Sequence, residues 1–169
     1  ILFGDGAGAA VVQAEEGEIY PSVAGSDGTM GHVLACESRV QNDWQQKEAD
    51  RKTYIDMDGT AVFKFAVRKM PEMAKSLMTQ MHCTEADIDW FITHQANERI
   101  IEAIARRLKS DIAKFPMNIA ECGNTSSASI PILLDEMNRS GQLKDGQKII
   151  MAGFGAGLSW GAVYMEWHA

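Results

Sequence analysis

The hydrophobic pattern of the chain switches between two periods. From residue 61 onward, Val62, Phe63, Ala66, Val67, Met70, Met73, Ala74, Leu77, Met78 and Met81 recur at helical spacing, which predicts a long helix with one inward face. Pro71 falls inside it and is expected to kink or break it, because proline removes a helical hydrogen bond and crowds the preceding turn. Short apolar runs at 88–93, 115–119, 148–152 and 158–167 predict strands. Ile100, Ile101, Ile104 and Leu108 mark the inner face of a second helix, with Asn97 suited to cap its start. A third helix is expected over 126–140, with Pro131 tolerated near its first turn. Thr84-Glu85-Ala86-Asp87 reads as a capped turn, and 141–147 as a second turn.

The opening behaves differently. Ile1-Leu2-Phe3 and Ala9-Ala10-Val11-Val12 are apolar runs separated by Gly4-Asp5-Gly6-Ala7-Gly8, which suits a buried strand with a close backbone approach at its glycines. A phosphate cradle would need a helix directly after the loop, and Gly17 and Pro21 follow too soon. Residues 25–58 read as loop with one or two strands, most exposed over 38–53. The order strand, loop, helix, strand, helix, strand, helix and two strands implies an α/β fold, a mixed β-sheet covered by α-helices. The methionine stripe is adaptable core filler rather than a cofactor site.

Composition narrows the partners. With 169 residues, 46% of them apolar, the chain can bury one ordinary core, as one domain or part of a larger one. A net charge of −7 argues against non-specific binding to nucleic acid or to an anionic membrane surface. No apolar run approaches the roughly 20 residues of a membrane helix. Cys36, Cys83 and Cys122 are widely spaced and form no metal or disulfide pattern, so no metal site is expected and a reducing cytoplasm fits best. The chain opens without Met on a strand-like run, which reads as a piece of a longer polypeptide. Between 97 and 114, Arg99, Arg106, Arg107, Lys109 and Lys114 outnumber Glu98, Glu102 and Asp111. Such a face either solvates the helix or docks an acidic partner.

The candidate chemistry lies at His94 and Asn124. His94 follows the apolar run Trp90-Phe91-Ile92-Thr93, and Asn124 sits thirty positions later in Gly123-Asn124-Thr125-Ser126. A histidine at a strand end beside a side-chain amide can serve acid-base work or stabilise an oxyanion. A lone histidine there is commonly structural; its pairing with Asn124 favours the catalytic reading. None of the three cysteines sits in a setting that would make it the nucleophile such a pair serves.

His94-Gln95-Ala96-Asn97, Gly123-Asn124-Thr125-Ser126, Met57-Asp58-Gly59 followed by Val62-Phe63-Lys64-Phe65-Ala66, and Gly153-Phe154-Gly155-Ala156-Gly157-Leu158-Ser159-Trp160-Gly161 together resemble β-ketoacyl-acyl-carrier-protein synthase III. The opening Gly4-Asp5-Gly6-Ala7-Gly8 matches too. The resemblance implies a thiolase-like fold of two similar halves, with 1–20 as the last strand region of the N-terminal half and 21–169 as the C-terminal half-domain. It implies decarboxylative condensation of an acyl-CoA primer with malonyl-acyl-carrier protein, the step that initiates type II fatty acid synthesis, by Cys, His and Asn. His94 and Asn124 match the latter two and would donate to the enolate oxygen. The Cys belongs to the first half, and Cys122 is not at a catalytic position.

By the same resemblance, Met57, Phe63, Ala96, Asn97, Phe154 and Gly155 would contact the substrate and its pantetheine arm. Gln95, Ala96, Asn97, Glu98 and Arg99 would meet the carrier protein. The Gly153–157 run would let the backbone approach the site and supply an N–H to the acyl oxygen, and Ala156 departs from the third glycine many members carry. No cofactor is implied, acyl-CoA and malonyl-carrier protein being substrates, and the family works as a homodimer. Two other readings stay open: a polyketide or alkylquinolone starter synthase of the same fold, and a non-catalytic partner that binds carrier protein. The intact His94-Asn124 pair speaks against the last.

Overall fold

A computed structural model describes residues 3–11, 17, 20–36 and 54–168. Its main sheet joins β1 (Ser22–Ser26), β4 (Trp90–Thr93), β5 (Lys148–Gly155) and β6 (Ser159–Glu166) in the order β1-β6-β5-β4. β1 and β5 run antiparallel to β6, and β4 runs parallel to β5, so the sheet is mixed as expected. A separate antiparallel pair joins β2 (Leu34–Cys36) to β3 (Ile55–Met57). The helices are α1 (Gly59–Gln80), α2 (Glu98–Leu108), the single turn α3 (Ile119–Cys122) and α4 (Ser129–Arg139).

The two periods of the sequence meet in the core. Along β4 and β5 successive side chains point to opposite faces. Phe91, Ile150 and Ala152 join the buried faces of α1 and α2, while Ile92 and Ile149 join Leu133 and Met137 of α4. The sheet is thus covered on both faces, by α1 and α2 on one and by α4 on the other. Met70, Met73 and Met78 are buried, in keeping with a core role. A fully buried side chain of that size contributes about 1.5–3 kcal/mol.

Four expectations are corrected. Helix α1 begins at Gly59 rather than at residue 61, because the Asp58 carboxylate accepts from the backbone N–H groups of Thr60 and Ala61 at 3.0 and 2.9 Å. It also runs unbroken through Pro71. The carbonyl that Pro71 cannot bond is that of Val67, and Arg107 of α2 donates to it at 3.1 Å. Residues 115–119 form no strand. Phe115 is buried and stacks on Phe91 at 4.8 Å, so the run is apolar because it packs, not because it pairs; Pro116 has no N–H to give, and the Asn118 N–H bonds the Gln95 side chain. Over its described residues 3–11 the opening is not a buried strand: Phe3 forms one bridge, with Asn124, and is 41% exposed, while Ile1, Leu2 and Val12 lie outside the described residues.

β1 was not anticipated, since Pro21 and Gly25 flank or interrupt a small-residue run. Gly25 is required there, because a Cβ would lie 2.6 Å from the Trp160 indole. β5 continues through Gly153 and Phe154 to Gly155, so most of the expected glycine loop is strand. The stretch 38–53 lies outside the described residues. Among the described residues no helix is long and apolar enough to cross a membrane.

Candidate active site

β4 ends at Thr93, and the parallel register holds the next residue on β5 through the His94 N–H to the Ala152 carbonyl at 2.9 Å. The chain turns at once: Ala96 N–H bonds the His94 carbonyl at 3.0 Å, and Asn97 caps α2 by accepting from Arg99 N–H at 2.9 Å. His94 is therefore pinned between a strand end and a helix start. Its ring packs edge-on against Phe154, with centroids 5.6 Å apart. Burial lowers its pKa below the ordinary 6.5, and a hydrogen bond to the Ser126 backbone only partly opposes this, so the imidazole is neutral at pH 7.

Asn124 follows Gly123, whose φ of +68° is a backbone conformation that favours glycine. The Asn124 side chain is buried, and its Oδ1 accepts from the Ser126 N–H at 2.9 Å. That bond fixes the amide orientation and leaves Nδ2 as the donor. Ser126 itself has a φ of +55°, a strained value for a residue with a Cβ. Its carbonyl accepts from Ser129 Oγ at 2.8 Å, and Ser129 Oγ lies 2.7 Å from His94 Nδ1. Ser129 thus joins the two candidate residues. Sequence reasoning missed it; the only signal was its place in a serine-rich loop opening α4.

His94 and Asn124 line one cavity of about 820 Å³. Met57, Phe63, Ala96, Asn97, Phe154, Gly155 and Arg99 line it with them, so every residue expected at the substrate arm borders the same space. Arg106 and Glu102 also border it and were not expected there. His94 and Phe154 face a second hollow of about 380 Å³ as well. Where its walls are apolar around His94 and Asn124, a hydrogen-bond donor acts strongly on developing charge.

Gln95 is a correction. It is fully buried, with Nε2 donating to the carbonyls of Thr93 at 2.8 Å and Pro116 at 3.4 Å, and Oε1 accepting from Asn118 N–H at 3.3 Å. A side chain so engaged cannot meet a protein partner. Glu98 and Arg99 are exposed on the first turn of α2. Cys122 and Cys83 are not activated as nucleophiles: burial and Glu136 raise the Cys122 thiol pKa, and burial and Asp87 raise that of Cys83. Cys36 is exposed on β2 at the cavity edge. Among the described residues, no group of three or more His, Cys, Asp or Glu is placed to hold a metal ion.

Comparison with known proteins places this geometry. The family model described as 3-oxoacyl-[acyl-carrier-protein] synthase III C terminal matches residues 78–167, more than half of the chain. A β-ketoacyl-[acyl-carrier-protein] synthase III of Clostridium novyi is 44% identical over 170 residues, covering 99% of this chain and 52% of that protein. The chain thus spans about half the length of the curated relatives it matches. The crystal structure of 3-oxoacyl-(acyl carrier protein) synthase III from Pseudomonas aeruginosa PAO1 superposes with a TM-score of 0.79 at 36% identity, over 95% of this chain and 47% of that one. The priming β-ketosynthase of the R1128 polyketide pathway superposes with a TM-score of 0.79 at 33% identity, over 87% of this chain and 44% of that one. The fold is therefore thiolase-like, and the chain belongs to the 3-oxoacyl-[acyl-carrier-protein] synthase III family, matching its C-terminal part.

Proposed function

We propose that this chain is the C-terminal catalytic part of a condensing enzyme that joins an acyl-CoA primer to malonyl-acyl-carrier protein at the start of type II fatty acid synthesis in the cytoplasm. The observation that carries the reading is the pairing of a neutral His94 with an Asn124 amide of fixed orientation on one apolar cavity. When the malonyl C–C bond to the carboxylate breaks, CO2 leaves and the electron pair moves into an enolate whose oxygen carries the charge. Asn124 Nδ2–H and a hydrogen on His94 Nε2 would donate to that oxygen. The enolate carbon then attacks the acyl thioester carbonyl, a new C–C bond forms, and the cysteine thiolate leaves. That cysteine belongs to the first half of the protein.

The remaining roles follow the cavity. Met57, Phe63, Ala96, Asn97, Phe154 and Gly155 guide the pantetheine arm, and Arg99 at the cavity rim meets the acidic carrier protein. Ile55, Met57 and Phe63 are exposed beside the cavity, and the first half of the same protein would cover them in a homodimer of complete chains. Residues 21–169 form the C-terminal half-domain of that enzyme. The R1128 relative supports a second reading, a starter synthase for polyketide synthesis with the same two donors and a different primer.

The test is carrier-dependent decarboxylation by the complete protein. Asn124→Ala and His94→Ala should each slow malonyl decarboxylation about 10²–10³-fold, while acyl transfer from acyl-CoA to the enzyme persists. Unchanged decarboxylation in both variants would remove the catalytic reading in favour of a carrier-binding partner. Comparing primers by kcat/KM separates the fatty acid from the polyketide role.

A further inference from the structure

The glycines at 4, 6 and 8 alternate along the opening segment and lie against the loop that carries Asn124. Gly4 N–H donates to the Asn124 carbonyl at 2.9 Å, and Phe3 bridges Asn124 in parallel register. A Cβ on Gly4 would overlap the carbonyl oxygen of Cys122. One on Gly6 would lie 2.8 Å from Ile132 Cδ1 and 2.9 Å from Thr125 Cγ2, and one on Gly8 2.5 Å from Pro131 Cγ. Three alternate positions thus share one face against 122–132, and on that face no side chain fits. The contact is made to the main chain of Asn124, at the residue whose side chain serves the site.

We propose that this segment is a positioning strap, with Gly4 and Gly6 setting how far the Asn124 amide projects into the cavity. The inference rests on the reading that Asn124 donates to the enolate. Backbone, unlike a side chain, cannot yield at Gly4, so a methyl there displaces the 122–124 main chain and Asn124 with it. At Gly6 the obstructing atoms are side-chain atoms, Ile132 Cδ1 and the Cγ2 and Cβ of buried Thr125, which makes the effect smaller and in part reversible by trimming Ile132. A displacement of order 1 Å in a catalytic group costs up to about a hundredfold in rate.

The experiment compares two half-reactions in the complete protein: decarboxylation of malonyl-carrier protein, and acyl transfer from acyl-CoA. Gly4→Ala and Gly6→Ala should each lower the kcat for decarboxylation about tenfold or more, with KM and acyl transfer unchanged. Ile132→Val removes the Cδ1 that Gly6→Ala would strike most closely but leaves Thr125, so the double variant should regain part of the lost rate. Gly17→Ala, with none of the described residues within 4 Å of its added methyl, is the control and should change neither reaction. If Gly4→Ala does not fold, Gly6→Ala and its rescue decide the matter. Decarboxylation at the wild-type rate in Gly6→Ala, or an equal fall in both half-reactions, overturns the strap. Asn124→Ala separates the two levels: if it too decarboxylates normally, the reading of Asn124 has failed and the strap with it, whereas a slow Asn124→Ala beside a normal Gly6→Ala sinks the strap alone.

Discussion

His94 Nδ1 lies 2.7 Å from the Ser129 hydroxyl, and that hydroxyl serves both tautomers of the ring. With its hydrogen on the Ser126 carbonyl at 2.8 Å, and the Gln95 N–H donating to it at 3.2 Å, Ser129 Oγ accepts from Nδ1–H. Turned toward the ring, it donates to Nδ1 and leaves the hydrogen on Nε2, the form an enolate oxygen requires.

Replacing Ser129 with Ala removes that donor and leaves the Ser126 carbonyl, an acceptor, beside the ring. The hydrogen is then held on the wrong nitrogen, an error that costs at most what loss of the Nε2 donor costs, about 10²–10³ in rate. Ser129→Ala should therefore slow decarboxylation in that range, and Ser129→Thr, which keeps the hydroxyl, should retain more activity than Ala. Nitrogen-15 NMR of the His94 ring checks the tautomer; an unchanged Nε2–H population in Ser129→Ala would contradict the assignment.

The half-buried imidazole also sets a pH dependence. Its folded pKa lies below the ordinary 6.5 because burial disfavours the charge. The unfolded chain then binds the proton more readily, so this residue lowers stability as pH falls below about 6.5 and has no such effect at higher pH. Denaturant titrations at pH 7.5 and 5.5 should show a loss in the wild type that is smaller in His94→Gln. Decarboxylation should stay level above pH 6.5 and decline only in more acid solution, as His94 becomes charged.

Arg107 and Pro71 should be coupled. The Val67 carbonyl, which Pro71 cannot bond, accepts from Arg107 at 3.1 Å. Arg107→Ala should destabilise by about 1 kcal/mol, the ordinary worth of such a bond. In a Pro71→Ala background, where the restored N–H can take the same carbonyl, the cost of losing Arg107 should shrink. A double-mutant cycle in urea measures the difference, and strictly additive effects would show that the two residues act separately.

Arg99 is exposed at the cavity rim. Arg99→Glu should raise the KM for carrier protein several-fold and flatten its dependence on salt, with kcat for a small malonyl thioester unchanged. Equal salt dependence in wild type and variant would remove Arg99 from the docking surface.

Much of this arrangement was legible because periodicity reports burial. The spacing of Ile100, Ile101, Ile104 and Leu108 located the inner face of α2, and Asn97 marked its start. Phe115 misled for the same reason: it is buried by stacking on Phe91, and an apolar run cannot say whether its backbone also pairs. β1 was hidden because its residues are small and alternate between half-buried and exposed. His94 and Asn124 stood out through residue type and the motifs around them. Ser129 did not, and Gln95 was read as a carrier-protein contact, since their roles depend on hydrogen bonds across 35 and 23 positions that no local pattern encodes.

Gln95 carries a last consequence. Its single amide ties the end of β4 to Pro116 and Asn118, the segment that leads through α3 to Asn124. Neither segment can swing away without rupturing bonds made by the other in a place water does not reach. Slow opening of the chain at His94 and at Asn118 should thus occur as one event, and their amide protons should exchange with deuterium on a shared clock. Two reactive groups far apart in sequence loosen together or not at all.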